Sequence, residues 1–406
     1  MLERIKGVFS KKKKPVEKKL EEDKIPEPED DLNTSSTSQT FSNSEKRHYQ
    51  KLCLLLSEPM IDLKKLRSEA WYGIPMCYPQ IRSIVWKLLL GYYSPNQEFQ
   101  ESSISRKREE YIDCSRSYFP NLAYSEDLTE TNLISEDMSI YEVDSFKQII
   151  IDVKRTHPGE AFSSKISKSM LTRILFVWAF KHPASGYVQG INDLAATFMY
   201  IFLAEEIDRI NRESEGRKSV DIDLEHNAYD LKLEDVDLIE EEKIQHIEAD
   251  TYWCLENFLE TLQENYTEHQ PGVHKIIART EQIVMKKDKE LMEFLEAADY
   301  VPSKFVYRWV NNILSREFNV QQLIMIWDKI IAEEEDITTY LPYVCAALLL
   351  KFSDCIKSYA ERPEEVILLI QDLPTREWGN EDIKVLMAES YQLQCLYEFN
   401  SHLEEK

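Results

Sequence analysis

Two short segments of the chain carry side chains that suit phosphoryl-transfer chemistry. Asp152 and Arg155 lie one helical turn apart in the first segment, and Gln189 precedes Gly190 in the second. GTP hydrolysis needs a cation that stabilises charge on the transferring phosphate and a group that orients the attacking water. Arg can fill the first role and Gln the second, and neither needs a cofactor. The pair is therefore suited to completing a phosphoryl-transfer site in another protein.

A third segment upstream places Arg82 and Trp86 one turn apart, and the three segments match three sequence patterns in order. The patterns are R-x-x-x-W, I-x-x-D-x-x-R and Y-x-Q-G-x-N. The residues that carry them are Arg82 and Trp86, then Ile149, Asp152 and Arg155, then Tyr187, Gln189, Gly190 and Asn192. They resemble the signature motifs of the TBC domain, the module of most GTPase-activating proteins for Rab GTPases. Three ordered motifs are specific, whereas one would be weak.

The resemblance covers roughly residues 45–400, broken by one insertion, and looks like a Golgi-acting TBC subfamily that includes the yeast activator of an early-secretory Rab. The stretches that carry the wider likeness are 174–179, 182–194, 250–254, 270–272, 308–309 and 378–381. There is one departure: the family often has Pro immediately before its arginine, and this chain has Lys154.

The resemblance implies a role for each residue of the second and third motifs. Arg155 is expected to reach into the GTPase as an arginine finger, and Asp152 to help hold its loop. Gln189 is expected to replace the GTPase's own Gln in positioning water. Tyr187 and Asn192 are expected to be scaffold residues that orient the glutamine loop.

The motif residues also have structural interpretations that the sequence leaves open. Arg155 could simply form an ion pair with the carboxylate one turn before it, and Gln189 could be an ordinary buried amide. Gly190 would free the backbone to approach a partner closely. Trp86 is expected in the core with its indole N–H bonded. Arg82 is expected to order the neighbouring catalytic loops rather than to touch phosphate.

Composition and motif absences exclude several other classes of protein. The net charge of −24 over 406 residues argues against nucleic acid as the main partner. The sequence contains no H-E-x-x-H or C-x-x-C pattern for a metal and no glycine-rich pattern for a nucleotide. We therefore expect no cofactor of its own, with GTP and Mg²⁺ held by a partner GTPase. Seven scattered cysteines suggest a reduced, cytosolic protein.

Apolar residues recur at three- and four-residue steps through most of the chain, which predicts helices. Pro79 is expected to begin the helix of the first motif. No series of alternating strands is evident, and nine glycines in 406 residues disfavour a β-rich fold. The prediction is an all-α, two-lobed TBC domain. Its N-terminal lobe spans 45–203 and its C-terminal lobe spans 250–400.

Two regions are expected to lie outside the packed lobes. Residues 1–44 read as a disordered tail, whose cluster from Lys11 to Lys14 is either solvated or in weak contact with an anionic membrane. Residues 204–249 read as an acidic, flexible insertion that either solubilises the chain or contacts a partner. No signal peptide or membrane span is predicted. The expected location is cytoplasmic, peripheral to the Golgi or other endomembranes.

The motifs favour one function over two alternatives. The first is a GTPase-activating protein that docks on a GTP-bound Rab, supplies both fingers in trans and regulates vesicle trafficking, with no autonomous hydrolase activity. The second is a non-catalytic Rab-binding adaptor, which the presence of both fingers disfavours. An independent hydrolase has no recognisable nucleophile–base motif in this sequence.

Overall fold

The computed structural model describes residues 43–119, 139–183, 185–214, 216, 228–267, 269–333, 337–359 and 362–404. Within these ranges there are seventeen α-helices, four short 3₁₀ helices and no β-strand beyond one isolated bridge. The helices are α1 Asn43–Leu56, α2 Leu63–Trp71, α3 Pro79–Leu89, α4 Gln97–Tyr118, α5 Ile140–Arg155, α6 Lys165–Lys181, α7 Ile191–Ser214, α8 Leu233–Val236, α9 Glu241–Glu260, α10 Pro271–Lys287, α11 Lys289–Ala297, α12 Val306–Asn311, α13 Val320–Ala332, α14 Ile337–Lys351, α15 Ser353–Ser358, α16 Pro363–Gln371 and α17 Asn380–Glu404. The all-α prediction is confirmed.

Local sequence signals fix the ends of the helices that carry the motifs. Pro79 occupies the first turn of α3, as expected. Helix α5 begins with a capping box in which the Ser139 hydroxyl accepts from the Glu142 N–H and the Glu142 carboxylate accepts from the Ser139 N–H. Helix α6 ends at Lys181 and is followed by His182 and a proline. The chain therefore turns sharply just before the glutamine segment.

Helix α7 lies at the centre of a first group of helices, which also contains α3, α5, α6 and α9. Almost every residue from Ile191 to Ala204 is buried, so this helix is covered on all sides. It packs against α3, α5, α6 and α9. A second group is formed by α10, α14 and α17, and α13 joins the groups because it packs on α2, α3, α14 and α17. The arginine segment at the end of α5 therefore packs on α7, and the glutamine segment after α6 leads directly into it.

The predicted flexible insertion over 204–249 is wrong at both ends. Helix α7 continues to Ser214, and α8 and much of α9 lie within the predicted insertion. The charged composition that suggested a loop is arranged at helical spacing instead. Arg209 pairs with glutamates three residues before and four residues after it, and Arg212 pairs with Asp208 at 2.7 Å. Residues 215 and 217–227 lie outside the described ranges.

The boundary predicted at residue 250 also falls inside a helix. Helix α9 runs through it and packs on α4, α6 and α7, which places residues 250–260 with the N-terminal group. The predicted tail ends slightly too late, because residues 43 and 44 begin α1. Its remainder, including the lysine cluster, lies outside the described residues. None of the described helices is both long and apolar enough to cross a membrane.

Candidate functional site

Arg155 and Gln189 line one surface cleft of about 470 Å³. The first wall of the cleft comes from the end of α5, the residues just after it, Gln189 and the start of α7. The second wall comes from the segment between α12 and α13, the first turn of α13 and Arg376. The residues of the first wall are Arg155, Thr156, His157, Pro158, Gln189, Asp193, Ala196 and Thr197, and those of the second are Ser315, Arg316, Phe318, Asn319, Val320, Leu323 and Arg376. The fold thus brings two motifs 34 positions apart onto the same surface.

Arg155 is the last residue of α5 and its side chain is exposed. Its guanidinium forms no hydrogen bond or ion pair with any described residue, and the Asp152 carboxylate instead accepts from Gln148 at 3.1 Å. The ion-pair interpretation of the Asp–Arg spacing is therefore excluded. Lys154, where the family often has Pro, is inside the helix. The helix fixes the backbone before Arg155, and a cation at this end interacts favourably with its dipole.

Gln189 is exposed as well, and its side-chain amide has no partner within the described ranges. This excludes the interpretation of Gln189 as a buried, bonded amide. Its backbone is held instead: the carbonyl oxygen accepts a hydrogen bond of 2.7 Å from Nδ2 of Asn311. The side chain is therefore free to reach into the cleft from a fixed starting point.

A chain of polar contacts connects the two segments beneath the cleft. The Tyr187 hydroxyl lies 3.0 Å from Oδ2 of Asp152 and 3.2 Å from Oδ1 of Asn192. Asn192 Oδ1 also accepts from the N–H of Gly190 at 3.0 Å, and its Nδ2 donates to Oγ1 of Thr156 at 2.8 Å. Thr156 in turn donates to the carbonyl of Asp152 at 2.8 Å. The residues predicted to be scaffold thus link the end of the arginine helix to the glutamine loop.

The electrostatics of this network keep its donors and acceptors in place. Burial, with the neighbouring Asp152 carboxylate adding to it, raises the pKa of Tyr187 well above its usual value, so the phenol stays a donor at neutral pH. Burial also raises the pKa of Asp193, although Arg316 works against this by donating from Nε at 2.8 Å. The start of α7 is therefore tied by charge to the opposite wall of the cleft.

Gly190 adopts a conformation that other residues rarely take, with φ of +112°. A Cβ at this position would lie 2.7 Å from Nδ2 and 2.9 Å from the backbone oxygen of Asn311. Both the backbone angle and the close approach therefore require glycine here. The sequence predicted a close approach to a partner protein, whereas this close approach is to Asn311 of the same chain.

Arg82 and Trp86 are both completely buried, on one face of α3. The Arg82 guanidinium donates to both carboxylate oxygens of Asp328, at 2.9 and 3.0 Å, and also contacts Tyr229. The Trp86 indole N–H donates to the same carboxylate at 2.9 Å, which agrees with its predicted place in the core. The ordering of the catalytic loops by Arg82 stays a prediction, since the hydrogen bonds of its guanidinium join α3 to Asp328 of α13, Tyr229 and the Ile74 carbonyl.

Removal of Arg82 is expected to destabilise the fold strongly. Burial alone would lower the pKa of this guanidinium, but Asp328 and Tyr229 raise it above its usual value, so the guanidinium is charged. Replacing Arg82 with Ala leaves a buried carboxylate uncompensated and should lower the free energy of unfolding by about 3–5 kcal/mol. Urea denaturation measures this change. The exposed Arg106→Ala is the control and should shift stability by no more than about 0.5 kcal/mol; equal effects of the two variants would contradict the prediction.

The second wall of the cleft was missed in the sequence. Asn311, Arg316 and Arg376 all face the first wall or the cleft, yet none belongs to a motif quoted above. The neighbouring pair at 308–309 served only to support the family resemblance. Positions more than 120 residues from the glutamine segment give no local signal of contact with it. The described residues contain no group of three or more His, Cys, Asp or Glu side chains that could hold a metal ion.

Residues 79–357 match the Rab-GTPase-TBC domain family, which is most of the helical region described above. The chain therefore belongs to this family. The assignment agrees with the resemblance seen in the three motifs.

Individual relatives are similar over most of the chain. Human TBC1 domain family member 22B is 34% identical over 87% of this chain, and the GTPase-activating protein gyp1 of Schizosaccharomyces pombe is 34% identical over 88%. The chain spans about 62% of the length of each of these relatives. The crystal structure of the Ypt/Rab-GAP domain of Gyp1p is 32% identical, covers 87% of this chain and all of that domain, and superimposes with a TM-score of 0.73.

Proposed function

We propose that this chain is a GTPase-activating protein for a Rab-family small GTPase. The observation that carries the proposal is the shared cleft: the exposed, unpartnered side chains of Arg155 and Gln189 project from backbones that one hydrogen-bonded network holds together. A cation and an amide presented in one cleft match the two groups that GTP hydrolysis needs. Membership of the Rab-GTPase-TBC domain family supports the same reading.

In the proposed complex both side chains act in the active site of the partner. Arg155 stabilises the charge that develops on the β–γ bridging oxygen and the γ-phosphate, and Gln189 orients the attacking water. Asp152, Tyr187 and Asn192 hold the two backbones in register. GTP and Mg²⁺ belong to the GTPase, so this chain contributes residues in trans and hydrolyses nothing alone.

The charge of the cleft supports a partner that presents phosphate. The chain as a whole is strongly acidic, yet the cleft is lined by three arginines, Arg155, Arg316 and Arg376, against one carboxylate, Asp193, which pairs with Arg316. A local cationic surface on an acidic protein favours an anionic group in one orientation. We further propose a cytoplasmic protein peripheral to the Golgi that acts on an ER–Golgi Rab, which rests on subfamily resemblance alone.

Single-turnover GTP hydrolysis by a panel of purified Rab GTPases tests the function. We expect the chain to accelerate one or a few members of the panel and to leave GTP untouched in their absence. Acceleration of none, together with measurable binding of some, would replace the proposal with the adaptor alternative.

Substitution of Gly190 by Ala tests the geometry of the glutamine loop. Because the added Cβ meets Asn311 and the φ angle is unfavourable, the loop must move, and we expect GTPase acceleration to fall by at least about tenfold. Gly73→Ala is the matched control, since Gly73 also has a positive φ, of +94°, but its Cβ would meet nothing within 4 Å. That variant should lose some stability and keep its activity. Equal activity losses would show that backbone strain alone is responsible.

A further inference from the structure

The glutamine loop is supported by a segment that belongs to neither finger. The residues concerned are Asn311, the last residue of α12, and Arg316, which lies in the following segment and lines the second wall of the cleft. Two contacts cross from this segment to the glutamine loop and the start of α7. Asn311 Nδ2 donates to the Gln189 carbonyl at 2.7 Å, and Arg316 pairs with Asp193 at 2.8 Å. The first of these contacts reaches the backbone of the finger residue itself.

The orientation of the Asn311 amide is fixed by its other contacts. Gln270 Nε2 donates to Asn311 Oδ1 at 3.3 Å, and the Tyr307 hydroxyl donates to Gln270 Oε1. The Asn311 backbone carbonyl accepts from the Tyr266 hydroxyl at 2.9 Å. With its oxygen accepting from Gln270, the amide must turn its N–H₂ group towards Gln189. These contacts therefore point the Nδ2 donor of Asn311 towards the glutamine loop.

The backbone around this support is held in an unusual shape. Ile313 and Leu314 follow Asn311 with φ of +46° and +64°, and both are completely buried. Gln270, which contacts Asn311, has φ of +45°. Consecutive non-glycine residues with positive φ are costly and persist only where surrounding contacts enforce them. Here the Trp327 indole N–H donates to the Ile313 carbonyl at 3.1 Å. The turn that follows Asn311 is therefore fixed in one conformation by its surrounding contacts.

We propose that Asn311 is a positioning residue for Gln189, acting by holding the Gln189 carbonyl and so fixing the origin of its side chain. The inference rests on the function proposed above and deepens it. A glutamine side chain has three rotatable bonds, so the direction of its amide depends on where its Cα is held. Asn311 acts on the loop through a contact within the chain, so this role needs no contact with the GTPase. The C-terminal half of the domain thereby contributes to catalysis through the N-terminal half.

Asn311→Asp is the decisive substitution. The carboxylate keeps an acceptor for Gln270 and replaces only the donor to Gln189 with a charged oxygen, which repels the carbonyl. We expect the maximal single-turnover rate to fall by about 10- to 100-fold, with the concentration of the chain at half-maximal rate changed by less than about twofold. Asn311→Ala removes the donor without adding repulsion and should fall between wild type and Asn311→Asp.

Asn257→Asp is the matched control. Asn257 Nδ2 also donates to a distant backbone carbonyl, that of Leu90 at 2.8 Å, but Leu90 belongs to neither finger segment and does not line the cleft. Its substitution costs the same kind of hydrogen bond and should leave the maximal rate unchanged. Equal rate losses in the two variants would assign the effect of Asn311 to stability and overturn the inference.

A double-mutant cycle separates positioning from a direct role. If Asn311 acts only through Gln189, then adding Asn311→Asp to Gln189→Ala should change the rate by less than about twofold. An additive loss would overturn the positioning role, and so would an Asn311→Asp single variant with wild-type activity. An inactive wild type towards every Rab would instead overturn the proposed function, and this inference with it.

Discussion

Replacing Arg155 with Ala is expected to lower the rate of GTP hydrolysis in the complex by about 10³–10⁵, which removes nearly all of the acceleration. The side chain is exposed and has no partner among the described residues, so the charge it supplies is available only to a bound protein. Single-turnover hydrolysis by the best Rab of the panel measures the loss. Binding of the GTP-loaded Rab should weaken far less than the rate falls, because the guanidinium acts mainly on charge that appears in the transition state.

Two further variants test whether the loss is specific to the guanidinium of Arg155. Lys154→Ala removes the neighbouring exposed cation of the same helix end and should keep activity within a fewfold of wild type. Arg155→Lys keeps a positive charge but loses the planar, forked donor geometry, so it should recover little of the activity. Thermal unfolding of Arg155→Ala should match that of wild type within about 0.5 kcal/mol. A loss of rate below tenfold in Arg155→Ala would refute the arginine-finger role.

Replacing Gln189 with Ala is expected to lower the same rate by about 10²–10³. The variant removes only the exposed side-chain amide. The contacts that hold the loop are made by the Gln189 carbonyl and the Gly190 N–H, and the variant retains both. Gln392→Ala, an exposed glutamine on α17 away from the cleft, is the matched control and should behave as wild type.

A variant of the GTPase tests directly whether Gln189 positions the attacking water. If Gln189 takes over the positioning of water, then a Rab whose own catalytic glutamine is changed to Ala should still be accelerated by the wild-type chain. The combination of that Rab with Gln189→Ala should be close to inactive. Failure of the wild-type chain to accelerate the altered Rab would return the water-positioning role to the GTPase and leave Gln189 as a contact residue.

The local features of this protein were predictable from its sequence. Helical periodicity and the low glycine content indicated an all-α fold, and Pro79 marked a helix start correctly. These signals are short-range, since capping and apolar spacing depend on residues within a turn or two. The charged stretch after residue 203 begins and ends in helices rather than forming the expected flexible insertion. Its charge content suggests a loop, whereas the spacing of the charges allows ion pairs along a helix.

The candidate site also separates into features that the sequence determined and features that only the tertiary structure decided. The ordered motifs by themselves determined the family, and with it the expected roles of Arg155 and Gln189. Only the tertiary structure decided that Arg155 and Gln189 share one cleft and that neither side chain is used internally. It also decided that Arg82 serves the join between α3 and α13. The partner that supports the glutamine loop, Asn311, lies 122 positions away along the chain. Such pairings arise when packing brings remote segments together, and no periodicity within either segment encodes them.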